Sequence, residues 1–488
     1  MFRFKRALRR LKMDKKQPKT VKRTTLIWSI IIALLVGGGL AYGVAYVQTR
    51  AVISQAQSTT ASMQKIQAVY STIEDNYYKP VSAQKVTNGA IKGMISSLND
   101  PFSEYLDKTD ATSLNNQISS SFSGIGAEVQ KSGQYIKIIS PIKGTPAKKA
   151  GLQPGDLIIA VNDKSIAGKS VTEAVSLMRG KIGTKVTLTL KRNNKDFKQT
   201  LTREKIPVNT VNSRVINKKI GYIQITSVSE RTASELKTAL KNLDKKGVKS
   251  YVLDVRDNPG GLMDQALKMS SMFLKNGKVI MRVQAKTGQQ QVYKAGKKYD
   301  GGYKVTKPVA VLMNGGSASA AEIFAGALHQ SANAPLIGTQ SYGKGTVQTV
   351  SDFKDKSEMK ITIAKWLTPN GSWINKKGLT PTYKADYPKY AYLQLINTDK
   401  TYKIEDVSTQ VKTLQKKLKA LGYFEGKTNG YFGKTTQTAV EAYQQKNKLT
   451  VTGTADSKTI LNIETKIQSQ IAKNDNALKK AENVLNKK

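Results

Sequence analysis

Leu253-Asp-Val-Arg-Asp-Asn-Pro-Gly-Gly-Leu262 is the stretch that decides the fold. Its start continues an apolar run from Ser250, and Ser250–Val255 reads as a strand buried on both faces. Pro259 and two adjacent glycines break that strand, and Leu262–Leu274 then takes up helical spacing. Adjacent glycines permit positive φ and leave bare backbone N–H groups, which is how an anion-binding nest is built. Outward from this point the same alternation recurs. Ile220–Ile225 and Pro308–Met313 read as strands, and Thr232–Leu243 and Ala320–Gln330 as helices. Residues 207–395 are therefore expected to form an α/β core with a largely buried sheet.

Two further loops of this core stand at predicted strand ends, the edge where α/β sites gather. Met313-Asn-Gly-Gly-Ser-Ala-Ser-Ala-Ala-Glu-Ile323 is a strand-to-helix turn of small residues, and a serine there sits at a helix N-terminus. Ser341-Tyr-Gly-Lys-Gly-Thr-Val-Gln348 places Lys344 between two glycines. Singly, these motifs read as a turn, an N-cap and a loop charge; their convergence on one sheet is what carries chemistry. The residue inventory then narrows the mechanism. The 488-residue chain has no Cys, which excludes disulfides, thiolate nucleophiles and thiolate-bound metals. Its single His, His329, excludes a two-His metal site, and no metal or other cofactor is expected. On a continuous helix His329 lies about 15 Å along the axis from Ser319, too far to act as its base. Lys344 is the remaining candidate, provided that burial lowers its pKa toward neutrality. Gln348 would hold the amine, and the N–H of Ala320 with that of Gly260 or Gly261 would meet an oxyanion.

The first 50 residues bear on compartment. Leu26–Val47 is a run of 22 uncharged residues; as a helix it would span about 33 Å, enough for a bilayer core. It follows eleven Lys/Arg and one acid within residues 1–23. The expectation is a basic cytoplasmic tail (1–25) and a single-pass transmembrane helix (26–47) with the rest of the chain outside. The length of the run argues against a cleaved signal peptide. The formal charge of +45 is spread over scattered lysines; without a basic stripe interleaved with aromatics it fits a polyanionic envelope better than nucleic acid. Residues 51–120 carry helical patterning through Ile66, Val69, Tyr70 and Ile73, and residues 121–206 change to short β-rich runs around one helix at Val171–Arg179. A helical unit at 402–465 carries a stripe of Val407, Val411, Leu414, Leu418 and Leu421, and 466–488 reads as a polar tail, solvated or loosely helical.

The set of motifs resembles the C-terminal processing peptidases, the tail-specific serine peptidases. The resemblance rests on Ser97-Leu-Asn-Asp-Pro-Phe-Ser-Glu-Tyr105, Gly124-Ile-Gly-Ala127, Gly144-Thr-Pro-Ala147, Ala150-Gly-Leu-Gln-Pro-Gly-Asp156, Ile220-Gly-Tyr-Ile-Gln-Ile-Thr226, Asp254–Gly261, Gly316–Ile323 and Tyr342–Gln348. It implies Ser319 as nucleophile, Lys344 as its base and Gln348 as the residue orienting Lys344. It further implies that 121–206 is a PDZ domain whose Gly124, Ile125, Gly126 and Ala127 bind the C-terminal carboxylate of protein substrates with apolar ends. Arg179 occupies a position that couples ligand binding to site assembly in some members. Ala321, Val228 and Ser331–Pro335 depart from the usual pattern. Residues 402–465 resemble a three-helix peptidoglycan-binding domain, in which Tyr431 and Phe432 are candidates for either ligand contact or core.

The resulting expectation is a membrane-anchored serine endopeptidase of a Gram-positive envelope, held at the wall and acting outside the membrane. The competing readings are a non-catalytic wall adaptor built on the PDZ domain and a hydrolase of peptidoglycan peptides. Helical ends at 55–110 and 466–488 could support a homodimer.

Overall fold

The computed structural model describes residues 60–487, which fall into two compact units divided between Ser97 and Leu98. The first holds a helix over 60–76 and a second at Ala83–Ser96. Its predicted apolar stripe is exposed at Ile66 and Val69.

The second unit is built around a six-stranded sheet. Its strands, in spatial order, are Val211–Ile216, Ile220–Ile225, Ser250–Asp254, Val309–Met313, Leu336–Gly338 and Tyr383–Lys384. The first pair is antiparallel and the other pairings are parallel. Ser250–Asp254 is buried at every position, as its unbroken apolar run predicts. Helices Thr232–Lys245, Met263–Phe273 and Ala320–Ala332 contribute to one core, together with Tyr251, Leu253, Val311 and Met313. A second, antiparallel sheet joins Glu104–Leu106, Glu358–Leu367, Val279–Ala285 and Gln290–Lys294, and Thr346–Asp352 pairs with Glu358–Leu367. Lys344 therefore lies two residues before a strand of the second sheet, and Ser319 six residues after a strand of the first.

The strands of the expected PDZ domain run in the order Ala127–Ser132, Tyr135–Pro141, Leu157–Val161, Lys185–Arg192 and Lys195–Thr202. They close over a core that includes Ile136, Ile138, Ile158 and Leu188. Ala127–Ser132 is the edge strand, and the Val171–Met178 helix packs against it. An open edge beside a helix is the groove into which a peptide strand can add. Ser121–Gly124 pairs with Glu204–Pro207, so the module's entry and exit strands form one ribbon.

Two expectations need correction. The first is the transmembrane helix expected in the fold class: among the described residues no helix is long and apolar enough to cross a membrane. The physical reason is that these helices carry polar or charged faces; Ser457–Lys473, for example, buries Thr459, Ile460, Ile463 and Ile467 and turns Lys458, Lys466 and Gln468 outward. The segment 26–47 itself lies outside the described residues. The second correction concerns the C-terminus. Helices Thr409–Ala420, Lys434–Lys446 and Ser457–Lys473 surround Val411, Leu414, Phe432, Tyr443 and Ile463, so the third helix runs past 465. The polar tail, expected to be solvated or loosely helical, forms a helix, Asn476–Leu485, but not a solvated one: Ala477, Ala481 and Leu485 are buried on the sheet against Tyr222, Val252, Ala310 and Leu312. These residues lie four apart and so share one face.

Candidate active site

The turn that presents Ser319 is sewn to the neighbouring loop. Asp257 N–H donates to Asn314 Oδ1 at 2.9 Å, and Asn314 Nδ2 donates back to Asp257 Oδ1 at 2.9 Å. Ser317 Oγ donates to the Val255 carbonyl at 2.7 Å, and Ala318 N–H to that of Asn258 at 2.9 Å. So fixed, Ser319 takes φ +54° and ψ −116° at the head of the Ala320–Ala332 helix. Holding an L-residue there costs on the order of 1–3 kcal/mol, a cost the surrounding bonds offset.

Gly260 lies against this turn with φ +93°. A Cβ on it would stand 2.8 Å from Ser319 Cβ and 2.8 Å from Ala320 N, so a side chain is excluded on both conformational and steric grounds. Gly260 N–H donates to Oδ1 of the fully buried Asn258 at 2.9 Å. The N–H groups of Gly261 and Ala320 spend no hydrogen bond among the described residues. Of the donors predicted for an oxyanion, Gly260 is thus engaged internally, while Gly261 and Ala320 remain available.

Lys344 is fixed through its backbone. Its N–H donates to Glu322 Oε2 at 2.9 Å, and its carbonyl accepts from Trp366 Nε1 at 2.7 Å. Its Nζ stands 4.5 Å from the centre of the Phe102 ring and has no carboxylate partner among the described residues. Burial, aided by the like charge of Lys360, pushes the ammonium below its ordinary pKa, while Asp100 and Glu104 oppose the shift. Gln348 Nε2 donates to Thr346 Oγ1 at 2.9 Å and Thr362 Oγ1 at 3.0 Å. Both amide hydrogens are then used, which leaves Oε1 as the acceptor for a cation. Ser319, Lys344, Gln348, Gly260 and Gly261 all line one cleft of about 820 Å³.

The structure adds a residue that the sequence reading did not single out. Glu322 is fully buried and accepts four hydrogen bonds. Oε2 takes the N–H of Ser319 at 2.8 Å and of Lys344 at 2.9 Å; Oε1 takes the Ser341 hydroxyl at 2.5 Å and the Gly343 N–H at 2.7 Å. Burial raises its pKa while these donors oppose the rise. The four donors favour the ionised form and offset part of the cost of burial. Ser319-Ala-Ala-Glu322 has the spacing of a capping box, a local signal for the Ser319 contact alone. Phe102 was likewise visible only as part of a motif.

The remaining predicted residues are distributed as follows. Ile125 is buried and its carbonyl accepts from Ala147 N–H at 2.8 Å; Gly126, at φ +76°, would place a Cβ 2.3 Å from Thr145 Cβ. Gly124 ends the entry ribbon and Ala127 begins the edge strand. Arg179 follows the Val171–Met178 helix, with its guanidinium 5.1 Å from the Phe122 ring, and both side chains line the cleft that contains Ser319. His329 Nδ1 donates to the Ala334 carbonyl at 2.9 Å, at the helix end where the sequence placed it. In the C-terminal module Phe432 is core, and Tyr431 is 45% exposed.

Comparison with known proteins gives four matched regions. Residues 219–385 match peptidase family S41, 137–192 a PDZ domain, 407–461 a peptidoglycan binding domain, and 34–110 the N-terminal domain of the activating protease CtpB. The carboxy-terminal processing protease CtpA of Bacillus subtilis (strain 168) is 49% identical over 443 residues, covering 89% of this chain and 93% of that protein. A probable CtpA-like serine protease of Staphylococcus aureus (strain MRSA252) is 39% identical over 460 residues, covering 94% and 92%. Among solved structures, the photosystem II D1 C-terminal processing protease is 30% identical with a TM-score of 0.40, covering 64% of this chain and 84% of that one.

Proposed function

The chain belongs to peptidase family S41 as a serine-type C-terminal processing protease, and from that premise we propose that Ser319 and Lys344 form its catalytic dyad. Ser319 Oγ attacks the scissile carbonyl while neutral Lys344 takes the hydroxyl proton, then returns it to the leaving amine. Gln348 Oε1 orients the ammonium between these steps. The N–H groups of Gly261 and Ala320 receive the oxyanion, and Gly260 supplies close approach rather than a donor. The observation that carries this reading is one cleft holding a strained serine, a glycine loop packed against it, and a lysine ammonium destabilised by burial without a carboxylate partner.

The PDZ module supplies selection. A substrate's extended C-terminus adds beside Ala127–Ser132, with its carboxylate at Gly124–Ala127. Arg179 and Phe122 stand between that groove and the cleft, which gives bound peptide a route to influence the site. The C-terminal module holds the protease at peptidoglycan, with exposed Tyr431 as a contact, and thereby places cleavage on the wall side of the cell. Digestion of an unfolded protein with an apolar C-terminus tests the catalytic reading: Ser319→Ala abolishes cleavage, and amidation of the substrate's C-terminus raises KM. Full-rate cleavage by Ser319→Ala would sink the dyad, and binding of purified walls unaffected by Tyr431→Ala would remove that contact.

A further inference from the structure

The last helix lies beyond the four domain matches, yet it is packed on the peptidase sheet. It begins at Asp475, whose Oδ1 accepts from Leu478 N–H at 2.9 Å and from Arg256 Nη1 at 2.9 Å. Asp475 Oδ2 accepts from Arg256 Nη2 at 2.8 Å, so the pair is bidentate. Arg256 also binds Asp254 through Nε and Nη2, and Tyr222 OH donates to Asp254 Oδ2 at 2.6 Å. Arg256 and Asp475 are both buried.

Arg256 opens the loop that ends in Gly260 and Gly261. Its guanidinium is gripped by residues on either side of the inserted C-terminal module: Asp475 after it, and the Tyr387 ring, 4.6 Å away, before it. Asn476 Nδ2 closes the gap between the two sides by donating to the Asp386 carbonyl at 3.0 Å. A loop expected to present a donor must be held to within a fraction of an ångström, and misplacement by 1 Å can cost about 100-fold in rate. We infer that Asp475 is a positioning residue of the peptidase: through Arg256 it holds the base of the Gly260–Gly261 loop against Ser319. This rests on the assignment of Gly261 N–H to the oxyanion.

The test uses the full chain and an unfolded protein substrate. Asp475→Ala is expected to lower kcat at least tenfold, leave KM and PDZ peptide affinity within twofold, and leave the pH midpoint of activity in place. Asp475→Glu is expected to recover most of kcat. If Asp475→Ala does not unfold cooperatively, Asp475→Asn decides, because its amide oxygen keeps the cap while its amide nitrogen takes the place of Oδ2, which removes both the charge and the bond from Arg256 Nη2. A kcat within twofold of wild type in the deciding variant overturns the inference, as does a loss of kcat matched by equal losses in KM and PDZ affinity. Ser319→Ala, run in parallel, keeps the two readings apart: cleavage by that variant defeats the dyad, whereas an inert Ser319→Ala beside a fully active Asp475→Ala defeats only the role of Asp475.

Discussion

Glu322 is buried and Lys344 half-buried, one hydrogen bond joins them, and the protein surrounds their charges in opposite ways. The carboxylate receives four donors, which offset part of what burial costs it. The ammonium faces an aromatic ring and a like charge. The difference separates scaffold from chemistry. A satisfied charge fixes geometry, tying the serine turn to the lysine loop, whereas an unsatisfied one is inclined to give up its proton.

The sharpest way to break the comparison is to remove the unsatisfied member. Lys344→Met is expected to abolish proteolysis and, by removing a desolvated ammonium, to stabilise the fold by about 1 kcal/mol in denaturant titrations. The wild type has a matching pH signature. Its folded pKa is lowered, so between that value and the ordinary 10.5 the unfolded chain holds a proton that the folded one has released. Stability should therefore rise with pH across that window, and Lys344→Met should lack this rise. A less stable Lys344→Met would show that the ammonium is stabilised in some other way.

Removing the satisfied member should do the reverse to stability. Glu322→Gln puts an amide donor against two existing donors, at a cost of about 3 kcal/mol. Ser319 N–H or Lys344 N–H then shifts, and kcat is expected to fall about 100-fold with a smaller change in KM. Unchanged stability in this variant would mean that the two displaced donors find other partners at no cost.

These two roles were unequally legible in the sequence. Ser319, Lys344 and the paired glycines could be read because turns at strand ends demand particular residue types at fixed spacing, whatever the rest of the chain does. Glu322 was hidden because three of its four bonds come from residues 341–344, and no local pattern announces a contact that distant. Asn258 was hidden for the same reason: its capture of Gly260 N–H removes one predicted donor, and an Asn-Pro-Gly-Gly sequence is silent about where its amide turns. What composition hid was the burial of the Asn476–Leu485 helix. Its buried face is two alanines and a leucine within a Lys/Asn-rich stretch, too weak a stripe to recognise without the sheet it covers.

The charges around Lys344 offer a finer adjustment. Lys360 disfavours the protonated form, so Lys360→Met should raise the Lys344 pKa and move the rising limb of kcat/KM to higher pH. Asp100 favours the protonated form, so Asp100→Asn should move the limb lower. Shifts of the same sign in both variants would place the titrating group elsewhere.

The smallest expected effect tests the ring itself. Phe102 presents its face to the ammonium, an attraction worth roughly 0.5–1 kcal/mol that favours the charged form. Phe102→Leu keeps the site dry and removes the quadrupole, so the Lys344 pKa should fall further and the rising limb should move to lower pH by less than one unit. If the ring acts mainly by excluding water, the smaller side chain admits solvent and the limb moves to higher pH. The sign of a sub-unit shift therefore tells whether Phe102 restrains the depression of Lys344 or produces it.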